Sequence, residues 1–138
     1  MAILLVDGGV DITTNRIKGA GTEPLNAGWG TGAQTTALRT DTSLGPTTVE
    51  RDVDLSTASG NRTVGTSSRI TTNTANDTYQ VVATRTMTAA GPTACTCAGL
   101  FDNVTIGSGN MYTKADFAAV NLSSGDAIQF TWKVVYDN

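Results

Sequence analysis

The chain has 138 residues, few charged residues (15%), a net charge of -3, fifteen glycines and no histidine. That length suits one domain with one hydrophobic core; the acidic balance and scattered basic residues offer no cationic patch for phosphates, which excludes nucleic acid as an expected partner. Without histidine, the usual general base near neutral pH and the commonest zinc ligand are missing, and the Ser-His and Cys-His pairs with them.

The first stretch carries Gly8, Gly9, Gly19 and Gly21 around a short apolar run, Ile3, Leu4, Leu5 and Val6. It reads as an extended N-terminal arm over residues 1–27, whose apolar run is a strand or plug in need of a partner surface. The alternative is a first strand folded into its own domain. The opening MAILLVDGGVD has no basic segment and too short an apolar run for a secretory signal, and no stretch is long enough to cross a bilayer. Synthesis in a cytoplasm, without membrane contact, is the expectation.

Residues 28–138 form the expected single domain. Its opening GWGTG (28–32) lacks the strand-turn-helix setting of a dinucleotide site and the Lys-Ser/Thr of a P-loop. Trp29, a large ring between glycines, reads as an anchor against a partner or against its own domain. Residues 34–45 have neither period and read as a loop or one short helix. In 49–55, VERDVDL, a mostly apolar face of Val49, Arg51, Val53 and Leu55 opposes Glu50, Asp52 and Asp54, as on a half-buried strand. Asp52 and Asp54 lack the turn glycine and the further oxygens of a calcium loop, so no metal is expected there.

Strands are predicted over 61–70 and 78–88, the second with Tyr79, Val81, Ala83 and Met87 on one face and Arg85 interrupting it. Residues 93–101 and 110–120 read as two shorter strands or a bent hairpin around a loop rich in glycine and asparagine. The N-x-T patterns at Asn61 and Asn103 read as turns and exposed faces, since without a signal they never meet the glycosylating enzyme. The closing segment alternates most clearly: Ile128, Phe130, Trp132, Val134 and Tyr136 share one face, expected to be the spine of the core, after a turn at Gly125 and Asp126. Short strands between turn clusters imply an all-β fold, an antiparallel β-sandwich or small β-barrel.

Cys95 and Cys97 are the only cysteines. Structural zinc needs four ligands, and residues i and i+2 of a strand lie about 6.5 to 7 Å apart, at the limit for a disulfide. Two buried thiols are expected. No cofactor, metal site or catalytic constellation is expected, and the protein reads as a non-enzyme.

Five motifs in order, GWGTG, TDTSL with Glu50-Arg51 after it, NDTYQVVAT, AGLFD and the 109–134 segment ending GDAIQFTWKV, resemble a family of small β-rich structural proteins of tailed bacteriophages. The similarity runs over about residues 28–136 and departs at Cys97, where the family pattern carries Glu. The resemblance implies a virion component: a capsid decoration, or cement, protein on the outer surface of a phage head, trimeric, bridging major capsid protein subunits. Its partner-binding residues are expected to be Ile3, Leu4, Leu5, Val6 and Trp29. The alternative it leaves open is a tail- or fibre-associated module that binds a receptor or carbohydrate through aromatics such as Trp29, Tyr79 or Tyr112.

Overall fold

The computed structural model describes residues 3–33, 36–44, 48–51, 60–88 and 92–136. Its elements in order are β1 (Ile3–Leu5), α1 (Asp7–Ile17), β2 (Asn26–Gly32), β3 (Thr48–Arg51), β4 (Thr63–Val64), β5 (Thr66–Ile70), β6 (Thr78–Thr86), β7 (Thr93–Phe101), β8 (Met111–Leu122) and β9 (Ala127–Val135). One sheet runs β1-β8-β7-β2-β3, with β4 also on β2, and a second runs β5-β6-β9. Every strand pairing is antiparallel. The fold is an all-β sandwich, and its sheets are open rather than closed into a barrel.

The larger sheet is built around β7, and that explains its sequence. From Cys95 to Phe101 every residue is buried, so TACTCAGLF shows no alternation. Ala98 and Leu100 pack with Ala27, Val81, Ala83 and Trp132 between the sheets. Phe101 and Cys97 instead join Val6, Leu44 and Met111. Both faces of this strand are therefore occupied, as in strands at the centre of a layered fold.

In GWGTG, Trp29 is fully buried with Met87, Cys95 and Leu122. A Cβ on Gly28 would run into the Glu50 carboxylate and approach the Phe101 ring at 3.1 Å; one on Gly99, its partner across β2 and β7, would lie 2.8 Å from Leu44. These glycines let a second layer of side chains lie directly on the sheet. The run is a strand, neither a turn nor a phosphate cradle.

The stretch expected to be an extended arm is ordered differently. Ile3, Leu4 and Leu5 do form a strand, and its partner surface is the same chain: they pair with Ala115, Lys114 and Thr113 of β8. The helix after them has two glycines and several β-branched residues, a poor helical composition, and its start has no side-chain cap. Tertiary contacts override that propensity. A Cβ on Gly8 would sit 2.8 Å from the Met111 carbonyl oxygen, and one on Gly9 would overlap the Tyr112 carbonyl. The two glycines bring the helix backbone against β8 and let Ile12 reach the main core beside Tyr112 and Trp132. The Asp7 N–H, unpaired within the helix, donates to the Arg39 carbonyl at 2.7 Å, and the Asp7 carboxylate pairs with Arg39 at 2.8 Å.

Within 34–45 the described residues form a loop. Of the 49–55 strand, Thr48–Arg51 is β3, and Asp52, Val53, Asp54 and Leu55 lie outside the described residues. The alternation of β9 is as expected, yet this strand is an edge of the smaller sheet. Trp132 alone on its apolar face is fully buried, Ile128, Phe130 and Val134 are half-buried, and Tyr136 is exposed. The spine of the core is β7, because that strand is covered on both sides.

Candidate functional site

The chain's three tyrosines meet at one end of the sandwich, in a cleft of about 690 Å³. Its walls come from distant parts of the sequence: Ile12, Thr13 and Arg16 of α1, the Glu23-Pro24 segment, Arg69 of β5, Tyr79 of β6, Tyr112 of β8 and Tyr136 just after β9. Pairing explains the convergence. Arg69 lies opposite Tyr79 across β5 and β6, Tyr79 opposite Val134 across β6 and β9, and the Tyr136 N–H donates to the Asp77 carbonyl at 2.9 Å.

The rings are held at fixed angles. Tyr79 and Tyr112 pack edge to face with centroids 6.2 Å apart, an arrangement that sets a ring edge against a π face. The Tyr79 hydroxyl donates to the Pro24 carbonyl at 3.0 Å, and the Tyr112 and Tyr136 hydroxyls are 3.0 Å apart. Burial, with the Glu23 carboxylate nearby, holds the Tyr79 phenol well above its ordinary range; burial and the Tyr136 hydroxyl do the same for Tyr112. Both stay neutral at any physiological pH and serve as hydroxyl groups. Tyr136 is the open wall, 54% exposed.

Asp77 lies on the rim but is committed to its turn. Its carboxylate accepts N–H bonds from Thr72, Asn73 and Thr74 at 2.8, 2.7 and 2.7 Å, which hold its carboxyl far below the ordinary range. The groups at the rim able to meet a ligand are therefore Glu23, Arg16 and Arg69, with Tyr136 beside them.

The residues expected to bind a partner are dispersed. Val6 and Trp29 are fully buried in this chain's own core, so neither presents a face while the protein is folded, and Trp29 anchors its own domain. Leu5 packs partly against the main core, Leu4 is half-buried, and Ile3 is 38% exposed at the sheet edge. Of the aromatics named for a receptor or carbohydrate, Tyr79 and Tyr112 do sit together in the cleft. The alternation of the closing strand sets Tyr136 on the core face, and Glu23 and Arg69 carry no signal in the sequence, since only pairing between remote strands brings them near.

Cys95 and Cys97 are buried thiols in different clusters, separated by an irregularity in the β7–β8 pairing. Burial pushes the Cys95 thiol up to about 12, the opposite of the lowered value a reactive cysteine needs. Two ionic groups cover the outer side of the larger sheet. The Arg62 guanidinium donates to both Glu50 oxygens at 2.6 and 3.0 Å and to the carbonyls of Asn103, Thr105 and Ser108 at 2.7, 3.0 and 2.8 Å. Lys114, with no exposure, lies 2.8 Å from Asp41 and 3.6 Å from Asp116, whose carboxyl is raised by burial against the pull of Lys114. Both groups tie loops to strands. Among the described residues no three of Cys, Asp and Glu gather as a metal site, and no helix is long and apolar enough to cross a membrane.

Comparison with protein-family models, with curated proteins and with solved structures finds no match to this chain.

Proposed function

We propose that this is a structural virion protein without catalysis of its own, a capsid decoration protein that binds the outer surface of a phage head as a trimer and bridges major capsid protein subunits. The ordered motifs that resemble phage structural proteins suggest it, and the observation that supports it in the fold is the edge at β1. Among the described residues this strand pairs on one side alone, with β8, and it carries the partly exposed Ile3. An edge strand with an open side is a template for strand addition by another chain. A ligand that binds only the assembled shell stabilises it by about 2.7 kcal/mol per site at a hundredfold excess over Kd, so modest affinity repeated over a head is enough.

Removing residues 1–27 is a poor test, because Val6 and Ile12 are core residues and the chain would lose its fold. Ile3→Glu places a charge on the open edge instead and leaves the core alone. The wild-type protein should co-sediment with shells and be present at on the order of hundreds of copies per particle, and the variant should bind weakly. Full binding by Ile3→Glu would remove the edge as the grip. The cleft favours a second reading, a tail- or fibre-associated module that binds a receptor, for which a handful of copies per particle would be decisive.

A further inference from the structure

We propose that the tyrosine cleft is a binding site for a neutral saccharide. The assignment rests on the second reading above and gives its cleft a ligand class; it does not depend on the edge at β1 or on attachment to a head. The cleft's volume, about 690 Å³, falls in the range of small-ligand sites and takes on the order of two or three sugar rings.

Charge narrows the class of ligand. Arg16 and Arg69 on the rim are matched by Glu23 and Asp77, so neither a phosphate nor a polycation finds a field of one sign. The floor and wall then select for shape. Tyr136 is more than half exposed, and Tyr79 and Tyr112 are fixed edge to face behind it. A phenol ring carries negative potential on its face, which the polarised C–H groups on one side of a pyranose match.

The polar atoms fit the other side of a sugar. Each phenol can both donate and accept. The Tyr112–Tyr136 pair at 3.0 Å uses one O–H of the two; Tyr112 is 2% exposed and Tyr136 54%, so the Tyr136 hydroxyl is the one presented at the mouth. Glu23 accepts and Arg69 donates in forked geometry, the complement of adjacent hydroxyls that do both. A purely apolar ligand would leave these groups dry and unpaired, at a cost.

Saturation-transfer NMR on the full chain tests this, with neutral trisaccharides of glucose, galactose, mannose and N-acetylglucosamine as probes and with inorganic phosphate and a tyrosine- and proline-rich peptide as controls. The expected result is transfer to the ring protons of at least one trisaccharide. Tyr136→Ala should weaken it by at least about tenfold, and Arg69→Ala by several-fold. Tyr136 lies beyond the last strand and Arg69 is exposed, so both variants should keep the wild-type melting temperature. Should Tyr136→Ala melt early, Tyr136→Phe, which removes only the hydroxyl, replaces it and should bind several-fold more weakly. The proposal is overturned by absence of transfer to all four sugars, by transfer that survives both the Tyr136 and Arg69 substitutions, or by transfer to peptide or phosphate alone. None of these outcomes bears on shell binding, which the Ile3→Glu experiment reads separately.

Discussion

Arg62→Met should be among the most damaging single substitutions in the chain. The guanidinium is 2% exposed, and its partner Glu50 is 11% exposed. It makes two hydrogen bonds to that carboxylate and three to carbonyls in 103–108, with Cζ 3.5 Å above the Phe101 ring. Methionine fills much of the volume but leaves the Glu50 carboxylate and the Asn103 and Ser108 carbonyls without the guanidinium, while the Thr105 carbonyl keeps only the Ser108 N–H. Breaking a buried pair by removing one partner costs roughly 3 to 5 kcal/mol, and for a chain of this size each kcal/mol shifts the melting temperature by about 3 to 5 °C. The expected fall is therefore about 10 to 20 °C. Hydrogen exchange gives the local reading: amides of 103–108 should lose protection well before those of β7. Arg62→Lys, which keeps the charge but cannot fork to five acceptors, should fall between the two. A drop below about 3 °C with unchanged loop protection would refute the reasoning, since it would mean the loop holds itself.

Gly9→Ala should lift α1 from β8, because the new Cβ overlaps the Tyr112 carbonyl, backbone that cannot swing away. A loss of about 2 kcal/mol or more is expected, with hydrogen exchange in residues 7–17 rising more than in β6, although alanine is the better helix former. Cys95, with its thiol pushed up to about 12 and the side chain fully buried, should not react with a thiol reagent at pH 8 in the native protein, and both cysteines should react once denaturant unfolds it. Rapid labelling of the native protein would contradict the packing of β7.

Strands were legible in the sequence both where one face is wet and at 93–101, where β7 runs over the predicted residues; what the sequence did not show was the rank of that strand in the core. The alternation of β6 and β9 reports one buried side, and the turn before β9 is marked by Gly125, which takes φ +90°, and by Asp126, whose carboxylate accepts the Ser123 N–H at 2.8 Å. By contrast, β7 is covered on both faces and offers no period, so its central place showed only as an apolar run. Arg85 looked like an interruption of a core face. It is 1% exposed, its guanidinium 4.8 Å from the Trp29 ring and bonded to the Ala27 carbonyl at 3.0 Å, so the cation belongs to that face. The helix was missed for a different reason: its glycines argue against a helix locally, and only the close approach to β8 makes them useful. No local pattern could have announced the cleft, whose walls meet through pairings between strands far apart in sequence.

The three buried cations suggest why so weakly charged a chain places Arg62, Arg85 and Lys114 inside. Long irregular segments expose carbonyls that no strand partner satisfies, and an apolar side chain cannot satisfy them either. A guanidinium can, because its donors fan out in a plane: Arg62 collects three carbonyls of one loop while a carboxylate neutralises it, and Lys114 ties Asp41 of the 36–44 loop to β8. Arg62 and Lys114 thus convert loops into fixed surfaces without a disulfide, while Arg85 holds β6 against the Ala27 carbonyl of β2, which suits a chain whose two thiols lie in different clusters. A fixed surface loses little conformational entropy when something docks on it. Under the proposed role, then, the interior charges contribute to binding as well as to stability, and Arg62→Met should weaken attachment to shells at temperatures where the variant is still folded.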